Sequence, residues 1–204
     1  MSSTKRPSYL RIDALKELGN IGSAHAVTGL SKLLKKRIDV SITDVEIIPI
    51  QIIYNLFNGP ESMVSVVYLE GYNESFRSMM FLVFPYHEAD KMVKIITKSS
   101  GREEESEEYC MSVLKEVGNI MCGCYFNTMS VFLKKKIMHS VPQISRDMLG
   151  AVMDSILVDL SVQSDYAIVL ETAFNLTEEE CKGFLFLIPT TESLDMIFDA
   201  LGID

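Results

Sequence analysis

The sequence contains the same segment twice. Residues 15 to 43, LKELGNIGSAHAVTGLSKLLKKRIDVSIT, align with residues 114 to 142, LKEVGNIMCGCYFNTMSVFLKKKIMHSVP, and twelve of the twenty-nine positions are identical. About two identities are expected from average residue usage. A second, weaker match pairs MFLVFPYHEADKM (80 to 92) with FLFLIPTTESLDM (184 to 196), now displaced by five further residues. Two related copies must bury related faces, which restricts the chain to a pseudo-two-fold arrangement. At 204 residues, one domain built from two repeats, about 8 to 100 and 104 to 204, is the economical expectation.

Each repeat reads helix, strand, variable segment, strand, strand, helix, judged from where the apolar period switches between 3.6 and 2. In the first repeat this predicts a long helix near 8 to 36, strands near 38 to 50, 62 to 71 and 75 to 84, and a helix near 87 to 98. The second repeat predicts a helix near 104 to 135, strands near 137 to 143, 164 to 173 and 182 to 189, and a helix near 190 to 202. Its variable segment reads as a short helix from Asp147 to Leu157, because Met148, Val152 and Ile156 recur at helical spacing after a possible cap at Ser145. Loops short enough for hairpins predict a largely antiparallel sheet of six strands with the long helices packed on it, an α+β fold.

The repeated helix has an unusual pair of faces. With 100° per residue, Leu15, Leu18, Gly19, Gly22, Ala26, Gly29, Leu30 and Leu33 fall on one stripe, as do Leu114, Val117, Gly118, Met121, Tyr125, Thr128, Met129 and Phe132. This is the expected buried side. Each glycine costs the helix about 1 kcal/mol relative to alanine, so the glycines are expected where another backbone comes close. The opposite side carries Asp13, Glu17, Asn20 and Ala24 in one copy and Ser112, Glu116, Asn119 and Gly123 in the other. These residues are expected to face solvent. Asparagine is a poor helix former because its side chain competes for backbone hydrogen bonds. An acid three residues before an asparagine, kept on both faces, is therefore something folding does not require.

A carboxylate and a carboxamide supply no nucleophile and no metal set, and an exposed carboxyl group ionises well below neutrality, so it is a poor general base. What remains is positional work. A carboxamide offers a donor and an acceptor on one plane and can hold a water in line with a phosphoryl centre. The glutamate would pair with a basic residue of a partner and fix the docking register.

The doubled pattern [Asp/Ser]-x-x-x-Glu-x-x-Asn, set within LKE-GNI in both copies, resembles the CheC family of chemotaxis phosphatases, relatives of CheX and FliY. In that family a proline follows the asparagine by twenty-three residues. The second copy has it as Pro142, and the first has Thr43 instead. The resemblance implies hydrolysis of the aspartyl phosphate on a CheY-type response regulator, with Glu17 and Glu116 bonding to the regulator's lysine and Asn20 and Asn119 placing the water. Asp13, Ser112 and Pro142 would complete the motif. No cofactor is expected in this chain, and Mg²⁺ would belong to the phosphorylated partner. The resemblance also implies contact with a CheD-type deamidase, for which Asp147 is the candidate. A binding protein that sequesters phosphorylated regulator, or regulates the deamidase, would use the same surfaces with little turnover.

Other functions are poorly supported. A net charge of -9 argues against a nucleic-acid surface, which needs clustered Lys and Arg. No stretch is apolar for the length of a membrane span and no apolar signal core opens the chain, so a cytoplasmic protein with reduced cysteines is expected. Cys122-Gly123-Cys124 lacks the two-residue spacing of zinc or redox pairs, and His25, His87 and His139 are scattered. No P-loop, Rossmann or nucleophile-elbow motif occurs. The acidic run Glu103 to Glu108 reads as a solvated lead into the second long helix, where its charge suits the dipole.

Overall fold

The computed structural model describes residues 9–35, 37–100, 106–160, 166–176 and 179–201. The first half of the acidic run, residues 103 to 105, lies outside them, as do residues 8, 36, 104, 164, 165 and 202 at the ends of expected elements. The chain order is α1 (Tyr9–Leu34), β1 (Asp39–Pro49), a 3-10 helix η1 (Ile50–Phe57), β2 (Met63–Tyr72), β3 (Arg77–Pro85) and α2 (Tyr86–Ser100). There follow α3 (Glu107–Phe132), β4 (Met138–His139), β5 (Gln143–Met148), α4 (Leu149–Leu160), β6 (Tyr166–Leu176), β7 (Glu179–Pro189) and α5 (Thr191–Ala200).

The seven strands form one antiparallel sheet in the order β1-β6-β7-β3-β2-β4, with β5 also pairing β2. Exchanging each strand for its counterpart in the other repeat reverses this order onto itself. The exchange axis runs between β3 and β7, where Phe81 faces Phe186 and Leu82 faces Leu185. The helices obey the same relation: Lys35 and Lys134, equivalent positions just past α1 and α3, both take φ 52°.

Helices cover both faces of the sheet, so its central strands read as unbroken apolar runs rather than alternating ones. In β3, Met80, Leu82 and Phe84 point into the core beneath α1, α2, α3 and α5, while Met79, Phe81 and Val83 point to the core under η1 and α4. On the first side α1 and α3 pack against each other as well as on the sheet. Tyr125 Oη and Ser23 Oγ share a buried hydrogen bond of 2.7 Å, and Tyr125 occupies the space that Gly22 leaves empty. Gly29 does the same for Ile120, Gly19 for Leu170 and Gly118 for Val67. The glycines on the stripe thus admit side chains, not the neighbouring backbone that the sequence suggested.

The strand expected near 137 to 143 is where sequence and structure part. Near 137 to 143 there are two strands, β4 and β5, and β5 runs on to Met148. Between the pairs His139·Gly71 and Gln143·Tyr68, four steps along one strand match three along the other. Pro142 lies in this interval, and a proline has no N–H to give to a ladder. Ser145 and Asp147 consequently lie in a strand, pairing Val66 and Val64, and the helix begins at Leu149. In the first repeat β1 stays continuous, with a register shift between Ile42 and Asp44 that sets Thr43 out of the pairing.

Candidate functional site

The repeated helices place their stripes as the spacing predicts. Leu15, Leu18, Gly19, Gly22, Ala26 and Leu30 are buried, and so are Leu114, Val117, Gly118, Met121, Tyr125, Thr128 and Met129, while Gly29, Leu33 and Phe132 of the same stripes are half-buried. The two opposite faces, however, are unequally covered. On α1, Asp13, Glu17, Asn20 and Ala24 are all exposed, with Thr43 exposed beside them on β1. On α3, Ser112 and Glu116 are exposed, but Asn119 is half-buried and Gly123 is buried. The expectation of a fully solvated second face is corrected here, and at Gly123 the cause is local. His139 on β4 lies over the helix, and a methyl group built at Gly123 would be 3.7 Å from its Nε2.

Around the second face there is a shallow depression of about 370 Å³, lined by Ser112, Glu116 and Pro142 together with Lys115, Tyr109, Val113, Leu33 and Ile96. Three positions of the sequence motif, separated by up to thirty residues of chain, thus meet in one concavity. Asn119 follows Glu116 on the same side of α3, since residues three apart are neighbours on a helix surface. The start of α3 is held by Ser106, whose hydroxyl accepts the Tyr109 N–H at 3.2 Å, with Glu107 and Glu108 exposed in the first turn.

Among the described residues, the side chains of Glu17, Asn20, Glu116 and Asn119 make no hydrogen bond or ion pair with the rest of the chain. Their bonding capacity points outward. Each carboxylate can accept from a cationic donor and each carboxamide can both donate and accept. Among the described residues no group of three or more His, Cys, Asp or Glu is placed to hold a metal, and no helix is long and apolar enough to cross a membrane.

Asp147 stands exposed at the end of β5, its carboxylate accepting the Met148 N–H at 2.7 Å, immediately before α4. It is not among the residues lining the depression. Cys122 and Cys124 are in no disulfide. Cys122 is fully buried and Cys124 is half-buried. Burial raises both thiols above their usual range. The residue that sequence reasoning passed over is His139. Its signal was its place in the repeat, three residues before Pro142, where the first copy has Val40.

The profile of the CheC-like family matches residues 10–41 and 111–146, the two segments that carry the faces. Over 197 residues the chain is 28% identical to the CheY-P phosphatase CheC of Bacillus subtilis, covering 94% of each protein. It is 26% identical over 200 residues to the flagellar motor switch phosphatase FliY of the same organism, covering 93% of this chain and 49% of FliY. The crystal structure of Thermotoga maritima FliY superposes with a TM-score of 0.75 at 19% identity, covering 97% of this chain and 98% of that one, a likeness of fold.

Proposed function

This chain belongs to the CheC-like family, and from that premise we propose that it is a phosphatase hydrolysing the aspartyl phosphate of a CheY-type response regulator in chemotaxis signalling. One observation carries the reading. Two copies of an outward Glu/Asn pair stand on helices, their side chains without hydrogen-bond or ion-pair partners among the described residues, in a chain whose full-length relative is named a CheY-P phosphatase.

In this reading a face of α1 or α3 is laid against the phosphorylated site of the regulator. The glutamate, Glu17 or Glu116, bonds to the regulator's lysine and sets the register. The asparagine, Asn20 or Asn119, accepts one hydrogen of a water and aims its lone pair at phosphorus, opposite the carboxylate that leaves. Attack forms the new P–O bond as the acyl phosphate bond breaks, giving inorganic phosphate and the free aspartate. The protein's contribution is position and exclusion of alternatives, because the phosphoryl group needs little covalent help. Mg²⁺ is expected on the regulator, offsetting phosphoryl charge, and this chain needs no metal of its own. Ser112 and Pro142 shape the second face and Asp13 the first. The two repeats act as one domain presenting two faces. A CheD-type deamidase is a further partner in this reading, met at Asp147 where β5 turns into α4.

The test mixes the chain, at one part in twenty, with regulator phosphorylated on aspartate in Mg²⁺ and follows release of phosphate. Many turnovers per chain are expected. Loss of signal limited to the amount of chain added would instead identify a sequestering protein and sink the phosphatase reading.

A further inference from the structure

The second face has a side chain with no equivalent on the first. His139 Nδ1 is 3.1 Å from the carbonyl oxygen of Ser140. A carbonyl only accepts, so Nδ1 carries the hydrogen and the ring's other nitrogen is turned away from the strand. That nitrogen, Nε2, lies over Gly123, on the same stripe of α3 as Asn119 one turn earlier and Glu116 two turns earlier. Among the described residues Nε2 has no hydrogen-bond or ion-pair partner.

The ring is held rather than loose. It stacks at 15° on Phe126, with 6.3 Å between centroids, and Phe126 is itself fully buried, seated where Gly71 has no side chain. Gly71 is also the residue that pairs with His139 across β2 and β4. A polar ring nitrogen is thus fixed in place and pointed at the functional stripe.

The first repeat builds nothing similar. The position equivalent to His139 is Val40, 6% exposed in the core, and Val141, which is 72% exposed, corresponds to Ile42 at 5%. Both strands carry one extra residue at equivalent positions, Thr43 in β1 and Pro142 between β4 and β5, but only in the second repeat are the residues before it, His139 and Val141, exposed.

We propose that His139 is a specificity-determining contact of the second face, its Nε2 bonding a polar group of the docked regulator, so that the two faces bind the same partner unequally. The inference rests on the proposed function, since the occupant it names is the regulator docked there. His139 is a docking residue and leaves the positioning of the water to Asn119.

The experiment isolates each face by removing the other's asparagine. In the Asn20→Ala background turnover reports the second face, and in the Asn119→Ala background it reports the first. His139→Val, which copies the first repeat, should raise the half-saturating concentration of phosphorylated regulator about three- to tenfold in the Asn20→Ala background, the worth of one hydrogen bond, with kcat held within about twofold. His139→Gln, whose amide keeps a polar atom in reach, should recover most of that shift. In the Asn119→Ala background His139→Val should move neither constant. An equal change in both backgrounds would show that the imidazole merely supports the fold, and no change in the Asn20→Ala background would show that it does not touch the regulator. Either result overturns the inference while leaving the phosphatase reading intact, whereas absence of turnover in the unmodified chain condemns that reading itself.

Discussion

Replacing Gly118 by alanine should loosen the seat of α3. A methyl group there would stand 2.4 Å from both Cβ and Cγ1 of Val67 on β2. Carbon atoms in contact settle about 3.5 to 4.0 Å apart, so helix and strand must separate by roughly 1 Å. Val67 cannot swing clear, because its Cβ is fixed to the backbone. Overpacking of this kind costs about 1 to 3 kcal/mol, and the better helix propensity of alanine returns at most about 1 kcal/mol. The expected net loss is about 1 to 2 kcal/mol, or a Tm lower by about 2 to 8 °C in a chain of this size. Gly123→Ala is the matched control. Its nearest neighbour, His139 Nε2, would lie at an ordinary 3.7 Å, so propensity dominates and stability should rise by about 0.5 to 1 kcal/mol. Urea unfolding of both variants beside the unmodified chain measures the difference. A Gly118→Ala protein as stable as the parent would refute the close packing of α3 on β2 that sets Glu116 and Asn119 in place.

The buried Ser23·Tyr125 bond predicts that Tyr125→Phe loses about 1 to 2 kcal/mol by stranding the serine hydroxyl, and that adding Ser23→Ala restores most of it, as denaturant midpoints would show. Burial holds the Cys122 thiol protonated above its ordinary value of 9.0, so the folded chain keeps a proton that the unfolded chain releases. Stability should therefore fall as pH rises past about 9, and a denaturant midpoint unchanged between pH 8 and 10 would contradict this. The same burial predicts that Cys122 resists thiol reagents until the protein unfolds. A carboxamide does not titrate, so kcat should be nearly flat from pH 6 to 8, and a steep bell in that range would reveal an acid-base group on this chain.

Much of this architecture was legible because long periodic segments carry a strong signal. The stripe on α1 and α3 and the positions of β1, β2, β3, β6 and β7 follow from periodicity and from the repeat itself. Elements decided by long-range pairing were not legible. Met148 and Val152 look helical, and Ser145 looks like a cap, yet β2 recruits Gln143–Met148 as an edge strand, and pairing overrides the local pattern. η1 is not legible either, since a short 3-10 helix has no period long enough to read. Cys122 is buried because α3 packs on α1 and on the sheet at once, so its buried arc is wider than one stripe. For the candidate site, the sequence located both Glu/Asn pairs and their outward direction, and the motif residues Ser112, Glu116 and Pro142 meet at one depression. It did not locate the cover over Gly123, because that depends on where β4 carries His139, sixteen residues further along the chain.

The inequality of the two faces has a structural origin that the missing proline only hinted at. Thr43 sits in a continuous strand and keeps a bond from its hydroxyl to the Glu171 carbonyl at 3.3 Å, while Pro142 ends one strand pairing and begins another. The first face is open and carries one more negative charge, Asp13 in place of Ser112. Against a phosphorylated, acidic surface that charge is unfavourable. Asn119→Ala is therefore expected to lower turnover more than Asn20→Ala.

The central claim is that the asparagines position the attacking water while the glutamates dock the partner. Its most direct measurement is phosphate release from phosphorylated regulator by the double variant Asn20→Ala/Asn119→Ala, beside the binding of that variant to the regulator held in its active form by beryllofluoride. The expected result is binding within about threefold of the unmodified chain, with turnover reduced by two orders of magnitude or more, the scale on which loss of a positioning group acts. Turnover that survives in the double variant, with binding intact, would contradict the assignment of Asn20 and Asn119.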